Sequence, residues 1–161
     1  MDRTREYSWS DPMALAEAGR DLAGIDFLRT MLAGEQPPSP IGSTLGFNLT
    51  EVAAGRAVFT CTPSEFMYNP IGMVHGGVIA TLLDSAAGCA LHTTLPAGVG
   101  YTSLDLNLKY LRPVSKHSGP LRAIGTVLNK GRRTGLAQAE LRDAADRLIA
   151  HATSSLMIFN G

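Results

Sequence analysis

The sequence predicts an α+β domain, an antiparallel sheet with one face covered by a single long helix. Two observations carry this prediction. One helical run, at about residues 76–92, stands between stretches of β formers, two before it and four after it. That order contains no βαβ unit of the kind that builds a parallel sheet. The second is "SLDLNLKYL", in which Leu104, Leu106, Leu108 and Tyr110 alternate with Ser103, Asp105, Asn107 and Lys109. A period of two marks a strand with one buried face.

The elements follow in order. Residues 11–34 read as one or two short helices, with Asp11 as N-cap, Pro12 at the first helical position and Gly34 as the stop. "EQPPSP" cannot continue a helix, so residues 1–40 form an extension packed on a main domain of residues 41–161. "STLGFNLTEV" and "RAVFTCTP" read as two strands joined by a hairpin at "AAG". The central helix runs from about Gly76 to about His92 and is ended by "LPAGVG". Four strands complete the chain: the alternating stretch, "GPLRAIGTVLN", "TGLAQAELRDA" after the turn "KGRR", and "RLIAHATSSLMIF" after "AAD".

Composition bounds the function. The 161 residues carry 14 basic and 14 acidic side chains, a net charge of zero, which gives no footing for a nucleic-acid surface. Cys61 and Cys89 lie far apart without metal-ligand spacing, the pattern of a reduced, cytoplasmic protein. The N-terminus lacks the apolar core of a signal peptide, and no apolar run approaches the roughly 18 residues of a membrane span.

The stretch "NPIGMVHGGVIATLLDSAAG", residues 69–88, holds the candidate chemistry. At about 100° per residue, Val78, Ile79, Leu82, Leu83, Ala86, Cys89 and Ala90 form one apolar sector of the helix. Thr81, Asp84, Ser85, Gly88 and His92 fall on the other, where Gly88 leaves a gap beside the carboxylate. Periodicity alone allows Asp84 to be an ordinary solvated aspartate. Against that, Asp84 is the one acidic or basic side chain between His75 and His92, on a face of small residues suited to packing against another chain. Upstream, Gly76 and Gly77 let a ligand approach the backbone at a helix N-terminus, where free N–H groups can hold a developing oxyanion. Equally, they could simply shape a tight turn. Gly76 and Asp84 are eight residues apart, about 12 Å along a helix. If both act on one carbonyl they come from different subunits, in a dimer with two composite sites.

These residues, with "TSLDLNLKYLRPV", "KGRRTGLAQAEL" and "LIAHATSSLMIF", resemble the hotdog-fold acyl-CoA thioesterases, in the PaaI-like group related to 4-hydroxybenzoyl-CoA thioesterases. The resemblance covers roughly residues 43–159. It implies a long helix wrapped by a curved antiparallel sheet, assembled as a homodimer or a dimer of dimers, with an acyl- or aryl-CoA substrate. It implies that Asp84 is the catalytic carboxylate, as nucleophile or general base. It implies that the Gly76 N–H polarises the thioester carbonyl, with Asn69 helping to hold it. Ser103, or Thr102 in another register, matches a hydroxyl near the attacking water, and His75 orients the loop. Gly77 lies where substrate passes, and Arg132, Arg133 and Thr134 match contacts to the coenzyme A phosphates, with Arg112 behind them. No metal and no separate cofactor is required, since coenzyme A is part of the substrate.

The arginine-bearing turn at 129–135 also reads as an ordinary solvated hairpin, and His117 and His151 as ordinary surface or sheet histidines. There is no G-x-S-x-G elbow for a serine triad, and the four histidines have no zinc spacing. Alternatives are a non-catalytic acyl-CoA-binding or sensing protein and, within the fold, a hydratase or dehydratase.

Overall fold

The computed structural model describes residues 2–160. Two short helices come first, α1 (Pro12–Arg20) and α2 (Gly24–Leu32). The Asp11 carboxylate accepts the Met13 N–H at 2.8 Å, a cap typically worth about 1 kcal/mol. Gly34, at φ +76°, turns the chain out of α2. A third helix, α3 (Pro40–Leu45), stands where the sequence predicts a strand from Ser43. Local capping decides it: Ser39 accepts the Gly42 N–H, Pro40 takes the first position, and Gly46 closes the helix in the left-handed region.

Strands β1 (Phe47–Ala53) and β2 (Arg56–Cys61) form the expected hairpin, with Gly55 at φ +70° in its turn. A 3-10 turn at Glu65–Met67 leads to the long helix α4, which spans Gly76–His92 as predicted. Then come β3 (Val99–Ser103), β4 (Asn107–Tyr110), β5 (Leu121–Lys130), β6 (Thr134–Arg142) and β7 (Leu148–Asn160). All pairings are antiparallel, in the order β1-β2-β5-β6-β7, and β3 and β4 share the outer edge of β7. This is the α+β hotdog arrangement that the sequence predicts.

The stretch predicted as one alternating strand is therefore two. The strand begins earlier, inside "LPAGVG", and breaks at residues 104–106. There the Asp105 carboxylate takes the Ser155 N–H at 2.9 Å, and its carbonyl accepts from the Ser154 hydroxyl at 2.8 Å. A side chain supplies the acceptor that a regular ladder would take from backbone.

Helix α4 buries Val78, Ile79, Leu82, Leu83 and Leu91 against one face of the sheet. The approach is close. A methyl group on Gly125 of β5 would lie 1.9 Å from the Ala86 carbonyl oxygen, so only glycine lets helix and sheet meet there. The extension is anchored the same way: Gly24 sits against the His92 carbonyl, where a Cβ would come to 2.0 Å, and donates its N–H to Leu95 at 3.0 Å. Leu28 of α2 is buried. The opposite border, along β3 and β4, exposes Leu104, Tyr110 and Leu111. Among the described residues, no helix is long and apolar enough to cross a membrane.

Candidate active site

The loop before α4 is built to aim its first turn. Asn69 donates its N–H to Met73 and takes the Ile71 and Met73 N–H groups on its side-chain oxygen, each at 3.1 Å. Its amide oxygen is thus spent inside the turn. Val74 and His75 tie the loop to Val114 and Met67 through backbone bonds of 2.9 and 2.8 Å. His75 is the N-cap: its Nδ1 accepts the Gly77 N–H at 2.8 Å. That bond puts the ring proton on Nε2 and occupies the Gly77 donor.

The Gly76 N–H, by contrast, meets no acceptor among the described residues. It is one of the orphan donors every helix start carries. The Tyr110 hydroxyl donates to the Gly76 carbonyl at 2.9 Å, and a Cβ on Gly76 would come to 2.8 Å from that hydroxyl oxygen. A side chain at this position would have to displace the exposed Tyr110 ring, whose hydrogen bond fixes the peptide plane. The sequence pattern assigned Tyr110 only to the alternation of a strand.

Two turns further along α4, the half-buried Asp84 accepts a 2.8 Å hydrogen bond from the Ser103 hydroxyl at the end of β3. Its second oxygen has no hydrogen-bond donor among the described residues. Thr102, in the alternative register, faces the opposite way on the strand and is exposed. Thr81, one turn before Asp84, spends its hydroxyl on the Gly77 carbonyl at 2.9 Å.

Gly88 does not leave the gap expected beside the carboxylate. The Tyr101 ring stands on it, so that a Cβ would lie 2.8 Å from the ring edge. Cys89, assigned to the apolar sector, is only half-buried. Burial pushes the Cys89 thiol up to about 12 and the Tyr101 phenol well above its usual value. Both stay protonated at neutral pH.

The Asp84–Ser103 pair lies between two cavities. One, of about 470 Å³, is bordered by α1, α2 and α4, with Leu15, Phe27, Met31 and Phe59 among its walls. The other, of about 400 Å³, opens along Thr81, Leu104 and Leu106 at the exposed β3–β4 border. The N-terminal extension is thus a wall of the site, a role the sequence left open.

The arginines lie elsewhere. Arg132, Arg133 and the turn before Thr134 border a cleft of about 550 Å³ against Leu95 and Pro96, at the C-terminal end of α4. Lys130 in the same hairpin donates to the Thr94 carbonyl at 2.7 Å, whereas Arg132 and Arg133 have no acidic partner among the described residues. Arg112 is exposed just beyond β4, held by its backbone N–H to Ile149 at 3.1 Å. One chain therefore joins Asp84 to Ser103 and gathers Asn69, His75, Gly76 and Gly77 at the helix start, but keeps those two groups and the arginines apart. Among the described residues no cluster of three potential metal ligands occurs.

The model of the thioesterase superfamily matches residues 71–150. Human acyl-coenzyme A thioesterase 13 is 31% identical over 103 residues, 63% of this chain and 72% of that protein. The crystal structure of the thioesterase HI1161 from Haemophilus influenzae superposes with a TM-score of 0.70 at 28% identity, covering 74% of this chain and 82% of that one. The PaaI protein of the Escherichia coli phenylacetic acid degradation operon shares the fold, with a TM-score of 0.74 at 22% identity over 87% of this chain and 97% of that one.

Proposed function

The chain belongs to the thioesterase superfamily, in its PaaI-like hotdog branch, and is a thioester hydrolase; from that premise we propose that it cleaves an acyl- or aryl-CoA to the free acid and coenzyme A, with Asp84 as its catalytic carboxylate. One observation carries the reading: a carboxylate oriented by Ser103 at 2.8 Å stands at the mouth of a cavity with apolar walls.

The chemistry follows from what each group can do. The Gly76 N–H is an unpaired donor at a helix N-terminus, suited to the oxyanion that forms when the thioester carbonyl is attacked. Along a helix it lies about 12 Å from Asp84, so the two meet on one carbonyl only when α4 of a second copy runs antiparallel beside the first. The exposed Leu104, Tyr110 and Leu111 fit that border as the contact between copies, in a homodimer or a dimer of dimers. Asp84 acts in one of two ways. As general base it takes a proton from water, whose oxygen attacks the carbonyl carbon. As nucleophile its own oxygen attacks, and water then hydrolyses the resulting mixed anhydride. In both, the C–S bond breaks, coenzyme A leaves as thiolate and picks up a proton, and Ser103 holds the carboxylate in line. Arg132 and Arg133, without acidic partners among the described residues, are placed to meet the phosphates of coenzyme A, with Thr134 and Arg112 as further contacts.

Single turnover of an acyl-CoA in ¹⁸O-labelled water, with excess enzyme, separates the two forms. Label appearing in the Asp84 carboxylate identifies the nucleophile; label going directly into the product acid identifies the base. Release of no thiol from any acyl- or aryl-CoA would overturn the substrate assignment.

A further inference from the structure

The cavity beside Asp84 has a definite far end. Asp84, Gly88 and His92 lie one turn apart on the same face of α4, so the cavity runs about 12 Å from the carboxylate to the imidazole. There Phe27 of α2 meets His92, ring centroids 6.0 Å apart. Beyond them, under α1, opens a second cleft of about 670 Å³, with Gly19, Leu22, Val99 and Phe159 in its walls. Ala16, Phe27 and His92 border both spaces. Phe27 is held in this position from above as well, because a Cβ on Gly19 would come to 3.2 Å from its ring. Asp84 is the one acidic residue lining the first cavity, and burial holds His92 toward its neutral form. The space beyond the carboxylate therefore suits an uncharged, apolar tail.

We propose that Phe27 is the stop that sets acyl length: the tail of the thioester runs from Asp84 over the Tyr101 ring, which covers Gly88 and packs on His92, beneath α1 and α2, and ends against the Phe27 ring. The proposal rests on the acyl-CoA thioesterase reading. It makes the N-terminal extension, outside the thioesterase fold proper, the element that chooses the substrate. Acyl groups that fit between Asp84 and Phe27 react; longer ones find the passage to the second cleft closed.

The test is kcat/KM over a series of straight-chain acyl-CoAs, from acetyl to palmitoyl, for the wild type and two variants. Wild type is expected to fall off beyond medium length. Phe27→Ala joins the two cavities and raises the long-chain to short-chain ratio by about tenfold or more, the scale on which apolar pockets discriminate length. Ala16→Phe, on a helix with no buried residues, adds bulk at the same boundary and shifts the optimum to shorter chains. It remains informative if Phe27→Ala fails to fold. Length profiles of both folded variants that run parallel to wild type would overturn the proposal while leaving the thioesterase reading intact. A wild type that hydrolyses none of the series but cleaves an aryl-CoA overturns the proposal and leaves the reading intact; one that cleaves neither defeats the reading itself.

Discussion

Replacing Ser103 by alanine removes one hydrogen bond and almost nothing else. Ser103 is exposed at the end of β3, so no core packing is lost, and the backbone pairing with Leu156 stays. What disappears is the 2.8 Å bond to Asp84 Oδ1. A hydrogen bond to a charged group contributes about 1.5–3 kcal/mol. At 1.36 kcal/mol per decade this corresponds to a loss of about 10- to 150-fold in kcat if the bond serves to hold the carboxylate in its reacting rotamer. KM should change little, because the hydroxyl positions Asp84 rather than the acyl group. The assay is thiol release from the preferred acyl-CoA, with Ser103→Thr as a partial rescue. A cycle with Asp84→Asn adds a second reading: two residues acting through one carboxylate give grossly non-additive losses. A folded Ser103→Ala enzyme within twofold of wild type in kcat would refute the positioning role.

Other perturbations reach the rest of the account. Gly125→Ala drives a methyl group into the α4 backbone, which cannot yield as a side chain would; a loss of about 3 kcal/mol or more is expected, read as a fall in melting temperature of about 2–4 °C per kcal/mol. Arg147 holds the Asp143 carboxyl below its ordinary value, so this contribution to stability is present above the unfolded carboxylate pKa near 3.9 and is lost as pH falls through the lower folded value. Asp143→Asn should therefore be less stable than wild type at pH 7, with the gap closing in acid, as followed by denaturant melts across pH. Arg132→Ala combined with Arg133→Ala should raise KM for acyl-CoA by about fivefold, in line with two exposed phosphate contacts, and leave a truncated thioester without the nucleotide unaffected.

Much of this was readable in the chain because local signals and the global fold agree. His75, Gly76 and the long run of helix formers gave both ends of α4, and an aspartate without charged neighbours on its helix stood out as a candidate. Three misreadings have physical causes. Residues 43–45 read as the start of a strand, but Ser39, Pro40 and Gly46 form a complete set of caps, and the caps prevail. The strand at 103–111 is interrupted by Asp105, whose bond to the Ser155 N–H depends on a partner 50 residues away. Gly88 leaves no gap because Tyr101 comes from β3 to cover it, again a tertiary fact. The same holds for the cavity. Nothing in the periodicity of α1 and α2 says that Phe27 will face His92, so the wall of the site was invisible until the extension was folded onto α4.

The most direct test of the central claim is kcat for Asp84→Asn, a change that keeps the size of the side chain and its ability to accept from Ser103. The account predicts a loss of about 10²–10⁴-fold, the range for removing a catalytic base or nucleophile, in a protein whose melting temperature and assembly match wild type. An Asp84→Asn enzyme that releases coenzyme A within tenfold of the wild-type rate would contradict it and move the chemistry to another residue.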